Sequence, residues 1–161
     1  MNQHVGNWPG KTVEKKTGSF TYNGKDYDLA DLPGSYSLSA HSDEEVITRD
    51  FIASGQADVV CILADSSQLE RSLFMLADYA GIAVPCFLLL NMADVAAASG
   101  KRMDVDLIEK RLGVPTILFS ANDKTEYDAF YKALERAVEE KKVETAAGNR
   151  SALRFFRHRD E

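Results

Sequence analysis

The sequence predicts an α/β fold in which a mostly parallel sheet is flanked by helices in three layers. Short apolar runs rich in β-branched residues alternate with helical patterns along the chain, as in folds built from a parallel sheet. Polar turns follow three of the apolar runs. The length of 161 residues, with 45% hydrophobic residues, suits one domain with a substantial core.

The first third of the chain predicts a hairpin and a helix. Glu14 to Tyr22 and Lys25 to Leu32 have strand patterns, and the Asn23-Gly24 pair between them is a strong hairpin turn signal. A helix is predicted from Asp43 to Ala53, with Ser42 or Asp43 as its cap. Its apolar face consists of Val46, Ile47 and Phe51.

The rest of the chain alternates buried strands with amphipathic helices. Three buried strands are predicted, at Asp58 to Ala64, Val84 to Leu90 and Thr116 to Phe119. Three helices are predicted, at Ser67 to Tyr79, Asp104 to Leu112 and Glu126 to Lys142. Residues 143–161 show no clear period, so we divide the chain into a domain at 1–142 and a C-terminal tail or short helix at 143–161.

Composition excludes several classes of partner. The net charge of −6 argues against nucleic acid and anionic lipid. Cys61 and Cys86 lie inside apolar runs, with no metal-ligand spacing, so we expect a reducing, cytoplasmic environment. The three histidines are far apart in sequence, and we assign them no role. The longest apolar runs are far shorter than the roughly 20 residues of a membrane helix.

Three polar turns carry the functional argument: Asp31-Leu-Pro-Gly34, Asn91-Met-Ala-Asp94 and Ser120-Ala121. Each follows a predicted strand, and ligands of open α/β sheets bind outside the carboxyl ends of the strands. We therefore expect the turns to converge at one edge of the sheet. Taken singly, each has a plainer interpretation: Asp31 to Gly34 as an ordinary strand-to-helix turn, and Asn91 as a cap of the Ala-rich stretch that follows.

Together, and in this order, the three turns predict a guanine-nucleotide site. A carboxylate at Asp94 can accept hydrogen bonds from both N1–H and the 2-amino group of guanine, whereas adenine has the opposite polarity at that edge. Asn91 would tie the two later turns together, and a backbone amide of the Ser120-Ala121 turn would face the base oxygen. Asp31 could hold Mg²⁺ through water, and the Gly34 amide could donate to a γ-phosphate.

Further stretches resemble FeoB-type ferrous iron transporters. They are Asn2 to Gly10 with the following Lys-Thr-Val-Glu, Asp31 to Leu38, and Ser42 to Glu45, and Met92 in the Asn91 turn is also typical of that family. The resemblance implies a P-loop GTPase-like G domain that uses GTP or GDP with Mg²⁺ and is coupled to a membrane permease for Fe²⁺. It implies that Thr12, in the segment that includes Gly10, contacts Mg²⁺ and the γ-phosphate. Asp31 and Gly34 would form the second switch, Asn91, Met92 and Asp94 the guanine-reading turn, and Ser120 with Ala121 the base-cradling turn.

The family also has a phosphate-binding loop, which these 161 residues do not contain. No Gly-x-x-x-x-Gly-Lys-Ser/Thr loop is present, because Gly10-Lys11-Thr12 has its preceding glycine, Gly6, at the wrong spacing and no apolar strand before it. We therefore expect nucleotide binding to be weak or lost, and we assign no catalytic residue. Ser35 stands where many GTPases have a water-positioning Gln, which predicts slow hydrolysis.

A strand that this fold places mid-sheet is absent together with that loop. We therefore expect the strands at Lys25 to Leu32 and Asp58 to Ala64 to pair directly, or another segment or a second chain to fill the gap, which includes a homodimer. Two alternatives to a weak G domain remain open: a nucleotide-independent protein-interaction module, and an incomplete product of a longer gene.

Overall fold

The computed structural model describes residues 2–33, 42–70, 72–73 and 84–147. The chain divides into two compact units, Met1–Ser54 and Gly55–Glu161, which are described separately below. Within the described residues, no helix combines the length and the apolar character needed to cross a membrane.

The first unit contains an antiparallel sheet of three strands in sequence order: β1 (Asn2–Asn7), β2 (Glu14–Tyr22) and β3 (Lys25–Asp31). The predicted hairpin of β2 and β3 is confirmed. Its two turn residues, Asn23 and Gly24, both have positive φ angles, 49° and 72°. A type I′ turn requires this conformation, and it suits the twist of the two strands.

Strand β1 was not predicted, because its sequence has little β-type character and is recognisable only by the family resemblance. It pairs along its whole length with β2, from Asn2 opposite Ser19 to Asn7 opposite Glu14. The loop that joins them begins with a tight turn in which the Lys11 N–H donates to the Trp8 carbonyl over 3.0 Å. Gly10, with φ of 71°, follows Pro9 there, which is the residue pattern of a type II turn.

Helix α1 (Asp43–Ala53) has the predicted bounds. Ser42 is the cap, and its hydroxyl accepts the Glu45 N–H over 3.2 Å. The buried face is shifted slightly from the prediction, since Ile47 and Ile52 are buried whereas Val46 and Phe51 are only half-buried. The Phe51 ring still contributes to the core of this unit through an edge contact with the Trp8 ring, with 5.3 Å between centroids.

The second unit contains a parallel sheet in the order β4 (Val60–Asp65), β5 (Cys86–Asn91) and β6 (Thr116–Leu118). The central strand β5 is buried from Phe87 to Leu90, which explains its continuous apolar sequence. The α/β fold with a parallel sheet is thus confirmed.

Three helices and two short 3-10 helices can be delimited among the described residues of the second unit, and residues 69–70 and 72–73 are also helical. The helices are α2 (Ala93–Ala98), α3 (Val105–Leu112) and α4 (Tyr127–Ala147), and the 3-10 helices are Ser66–Gln68 and Lys124–Glu126. Helix α3 lies where it was predicted: Asp104 caps its start and Gly113, with φ of 67°, ends it. Helix α4 continues five residues beyond the predicted Lys142. Of the helix predicted at Ser67 to Tyr79, residues 67–70 and 72–73 are described: 69–70 and 72–73 are helical, whereas Ser67 and Gln68 belong to the first 3-10 helix.

Two expectations about strand β4 are wrong. It does not pair with β3: among the described strands, β3 pairs only with β2, and β4 only with β5. Nor is β4 buried on both faces, because Cys61 and Leu63 are exposed while Val60, Ile62 and Ala64 are buried. The exposed Cys61 and Leu63 alternate with the buried residues, so they lie together on one face of the sheet. In the described sheet β4 is also an outer strand, with one strand neighbour. The filling of its outer edge by another segment or chain stays a prediction.

Candidate functional site

The turn after β5 starts at Asn91, the last residue of the strand. Met92, which follows, has φ of 59°, a left-handed conformation that is uncommon for a residue with a side chain. Helix α2 starts immediately after it, so the exposed Asp94 stands in the first turn of that helix. The left-handed residue turns the chain sharply and brings two polar side chains close to the end of the strand.

The side chain of Asn91 joins this turn to the next one. Its Oδ1 atom accepts the Ala121 N–H over 3.1 Å. The prediction that Asn91 ties the two turns together is therefore confirmed. The alternative that Asn91 caps the Ala-rich helix is wrong, because Met92 occupies the cap position and makes no side-chain capping bond.

Ser120 provides a second connection between the same two turns. Its hydroxyl accepts the Asp94 N–H over 3.3 Å, and the Ala93 N–H donates to the Phe119 carbonyl over 3.2 Å. These bonds bring together Asn91, Asp94, Ser120 and Ala121, which confirms the predicted convergence for two of the three turns. Asp31 ends a strand of the separate antiparallel sheet, so the convergence of its turn with the other two stays a prediction. The Ala121 N–H already donates to Asn91, so a base oxygen would share this amide or bind after the Asn91 side chain turns.

Two residues that stabilise this turn were missed in the sequence. The Ser120 N–H donates to Glu126 Oε2 over 2.5 Å, and the Tyr127 hydroxyl donates to the Ala121 carbonyl over 3.1 Å. A signal was present, since Asp123 and Glu126 have the spacing of a capping box. That motif would return Glu126 to the amide of Asp123, whereas here its carboxylate reaches Ser120.

Asp123 stabilises the intervening segment. Its carboxylate accepts both the Thr125 hydroxyl, over 2.6 Å, and the Thr125 N–H, over 2.9 Å. These hydrogen bonds lower the pKa of Asp123, because they favour the ionised carboxylate. The Ser120-Ala121 turn is thus stabilised from the segment that leads into α4 as well as by Asn91 at the end of β5.

The first unit contains the residues expected to contact phosphate and metal. Thr12 is exposed in the loop before β2, and Asp31 is the exposed last residue of β3. Both therefore lie at the same end of the antiparallel sheet. Gly10 is also in the β1–β2 loop, where its positive φ serves the turn. Gly34 and Ser35 lie outside the described residues.

The donors in this unit have the right chemistry for Mg²⁺. A threonine hydroxyl and an aspartate carboxylate are hard oxygen ligands, and Mg²⁺ normally keeps several waters and phosphate oxygens beside one or two protein ligands. The described residues contain no group of three or more His, Cys, Asp or Glu side chains that could hold a metal by themselves. Any Mg²⁺ here would depend on a bound nucleotide for most of its ligands.

Comparison with known proteins identifies the fold and the family. The family model described as Ferrous iron transport protein B matches residues 1–134. The Fe(2+) transporter FeoB of Salmonella typhimurium is 38% identical over 138 residues, which are 83% of this chain and 18% of the relative. The Fe(2+) transporter FeoB of Escherichia coli is 36% identical over 146 residues, or 88% of this chain and 19% of the relative. The chain thus spans less than a fifth of the length of these relatives.

Solved structures of FeoB domains also superpose on this chain. The cytosolic domain of T. maritima FeoB in its GMPPNP form superposes with a TM-score of 0.76 at 39% identity, covering 84% of this chain and 54% of that one. The cytosolic domain of L. pneumophila FeoB gives 0.77 at 35% identity, with the same coverage of both chains. The G domain of T. maritima FeoB gives 0.70 at 37% identity and covers 86% of this chain and 82% of that one.

Proposed function

We propose that this chain, which belongs to the family of Ferrous iron transport protein B, binds guanine nucleotides through the two turns joined by Asn91 and Ser120. The observation that carries the proposal is this double connection. It fixes the backbone of both turns before any ligand arrives, so little ordering remains for the ligand to bring about. Relatives solved in GDP and GMPPNP forms support the same ligand class.

Asp94 is the residue that selects the base. Its backbone N–H is taken by Ser120, while its side chain is exposed and available to a ligand. A carboxylate accepts two hydrogen bonds from the N1–H and 2-amino groups of guanine. Adenine presents an acceptor at N1 and no 2-amino donor, so it would leave the carboxylate unpaired.

Affinity is expected to be weak in this chain. A phosphate loop would supply a nest of backbone amides and a Lys for the β- and γ-phosphates, and the 161 residues contain no such loop. The phosphate and metal roles that the family resemblance implies for Thr12, Asp31 and Gly34 stay predictions. Base recognition therefore accounts for a larger share of the binding free energy than it does when a phosphate loop is present.

Two partners follow from this proposal. The first is a membrane permease for Fe²⁺, whose uptake the bound nucleotide would regulate, as the names of the relatives suggest. Cells carrying Asp94→Asn should then take up less ferrous iron, and unchanged uptake would contradict this role.

The second partner is another copy of the chain at the outer edge of β4, where Leu63 is 56% exposed. Light scattering should then show a dimer that Leu63→Lys converts to a monomer.

Titration with GDP and ADP tests the proposed binding. We expect saturable GDP binding, no binding of ADP at the same concentration, and a changed preference in Asp94→Asn. An amide at this position can donate to the C2 oxygen of xanthine, so this variant should prefer the xanthine nucleotide by at least about tenfold, the equivalent of roughly one hydrogen bond. Asp106→Asn, an exposed acid in the first turn of α3, is the matched control.

The outcome also separates the alternatives. An absence of GDP binding at millimolar concentration, with the chain shown to be folded by its amide spectrum, would reject the proposal. It would favour a nucleotide-independent interaction module or an incomplete gene product.

A further inference from the structure

We propose that Glu126 is a positioning residue for guanine recognition, and that Tyr127 assists it. This inference rests on the proposed function, because it concerns how the base-cradling turn keeps its binding geometry. Neither residue lies in the three motifs that predict the nucleotide site. Both stand where the second 3-10 helix, Lys124–Glu126, passes into α4.

Glu126 and Ser120 are joined directly by a hydrogen bond. A carboxylate oxygen of Glu126 accepts the Ser120 N–H, and hydrogen bonds to an ionised acceptor are stronger than neutral ones. Glu126 is half-buried, so water competes less for this carboxylate than for a fully exposed one. The bond fixes the backbone of Ser120 relative to the start of α4.

Ser120 in turn contacts Asp94, the residue that selects the base. The Ser120 hydroxyl accepts the Asp94 N–H. A fixed Ser120 backbone therefore restricts the position of the Asp94 backbone. Glu126 thereby acts on Asp94 through Ser120. It touches neither the Asp94 nor the Asn91 side chain in the contacts that the structure describes.

Ala121, the other residue of the turn, is also held by side chains. The Ala121 carbonyl accepts the Tyr127 hydroxyl, while the Ala121 N–H donates to Asn91. The Tyr127 ring contacts the Phe119 ring with 5.3 Å between centroids, which fixes the direction of its hydroxyl. Three of the polar groups of the Ser120-Ala121 backbone are thus held by side chains, two of them from Glu126 and Tyr127.

The arrangement suggests a role beyond capping a helix. A carboxylate that only stabilised the start of α4 would be expected at the amide of Asp123, which instead donates to the Ser120 carbonyl over 2.8 Å. Glu126 reaches past that position to the residue that contacts Asp94.

The experiment compares GDP and ADP binding to the whole chain by amide chemical shifts in Glu126→Ala, Glu126→Gln and Tyr127→Phe. Loss of a charge-assisted bond should weaken GDP binding by roughly tenfold in Glu126→Ala and leave the negligible ADP binding unchanged. Glu126→Gln keeps an acceptor oxygen and should lie within about threefold of the natural chain. Tyr127→Phe should show a loss of a few-fold. Asp128→Asn removes a charge from the same helical turn, where Asp128 pairs with Lys132, and should change nothing.

Hydrogen exchange at Ser120 and Asp94 provides a readout that needs no ligand, and both amides should exchange faster in Glu126→Ala. Retention of GDP affinity and of slow exchange in that variant would overturn the role of Glu126 and leave guanine binding intact. A lowered melting temperature with an unchanged preference for GDP over ADP would reduce Glu126 to a structural residue. A natural chain with no preference for GDP would instead overturn the proposed function, and this inference with it.

Discussion

The two units bury their strands to very different extents. In the second unit, Phe87, Leu88 and Leu90 of β5 have no exposed surface. In the first unit, the described side chains of β1 and β3 are exposed or half-buried, and the buried hydrophobic residues are Trp8, Ile47 and Ile52 from a loop and a helix. The turns that we propose to read the base therefore extend from a packed strand, whereas the expected switch residues extend from a thin sheet.

This difference matches the role that we propose for each unit. Selecting a base requires donors and acceptors held in place before binding, and a packed strand with cross-linked turns provides that. Responding to a phosphate requires a segment that can change conformation, and such segments come from the less stable parts of proteins. Thr12 and Asp31 are both exposed, with few packing contacts to lose on moving.

The largest expected effect tests the difference in burial directly. Leu88→Ala in β5 should lower the free energy of unfolding by about 2–5 kcal/mol, because it leaves a cavity in a fully buried site. Leu29→Ala in β3, where the leucine is 44% exposed, should cost about 0.5 kcal/mol or less. Urea denaturation followed by circular dichroism measures both. Equal costs at the two sites would show that the first unit is packed as tightly as the second.

A smaller effect is expected at two glycines, one in each unit. Gly10 and Gly113 have φ of 71° and 67°, and an added Cβ would meet no atom within 4 Å at either site. Alanine should therefore cost about 1 kcal/mol at both, from backbone strain alone. Melting curves of Gly10→Ala and Gly113→Ala check this. A much larger loss for Gly113→Ala would mean that local strain also depends on the surrounding packing.

The smallest effect is expected for the ion pair of the first unit. Lys11 Nζ lies 2.5 Å from Asp43 Oδ1 and joins the β1–β2 loop to the start of α1, with side chains 36% and 65% exposed. A double-mutant cycle of Lys11→Met and Asp43→Asn should give a coupling of about 0.2–1 kcal/mol that disappears at high salt. A larger coupling that persists at 1 M salt would show that this loop is held far more firmly than its exposure indicates.

Much of the fold could be predicted from local patterns. The Asn23-Gly24 hairpin, the Ser42 cap of α1, the Asp104 cap and the Gly113 end of α3 depend on residues within a few positions of each other. Strand β5 was recognisable because its continuous apolar run suits a strand buried on both faces, although the similar run of β4 belongs to a strand with one exposed face. Strand β1 was missed because it owes its conformation to pairing with β2 and not to its own propensity.

The candidate site likewise contains residues that could be predicted from the sequence and residues that could not. Asn91, Asp94, Ser120 and Ala121 were predicted together because each follows a strand of one parallel sheet, and the ends of such strands lie side by side. Glu126 escaped notice because its partner depends on how the segment after Ser120 bends back. The exposure of Leu63 was also unforeseen, because an apolar sequence does not reveal whether both faces of a strand are covered.

Short motifs and periodicity were enough to predict the family, most of the elements in their order, and the residues that we propose to read the base. The tertiary structure decided which strands pair, which face of β4 is exposed, and which side chains hold the Ser120-Ala121 turn. These features depend on contacts between residues distant along the chain, such as Asn91 and Ala121. Their geometry is set by the packing of the sheet and its helices, which no local pattern specifies.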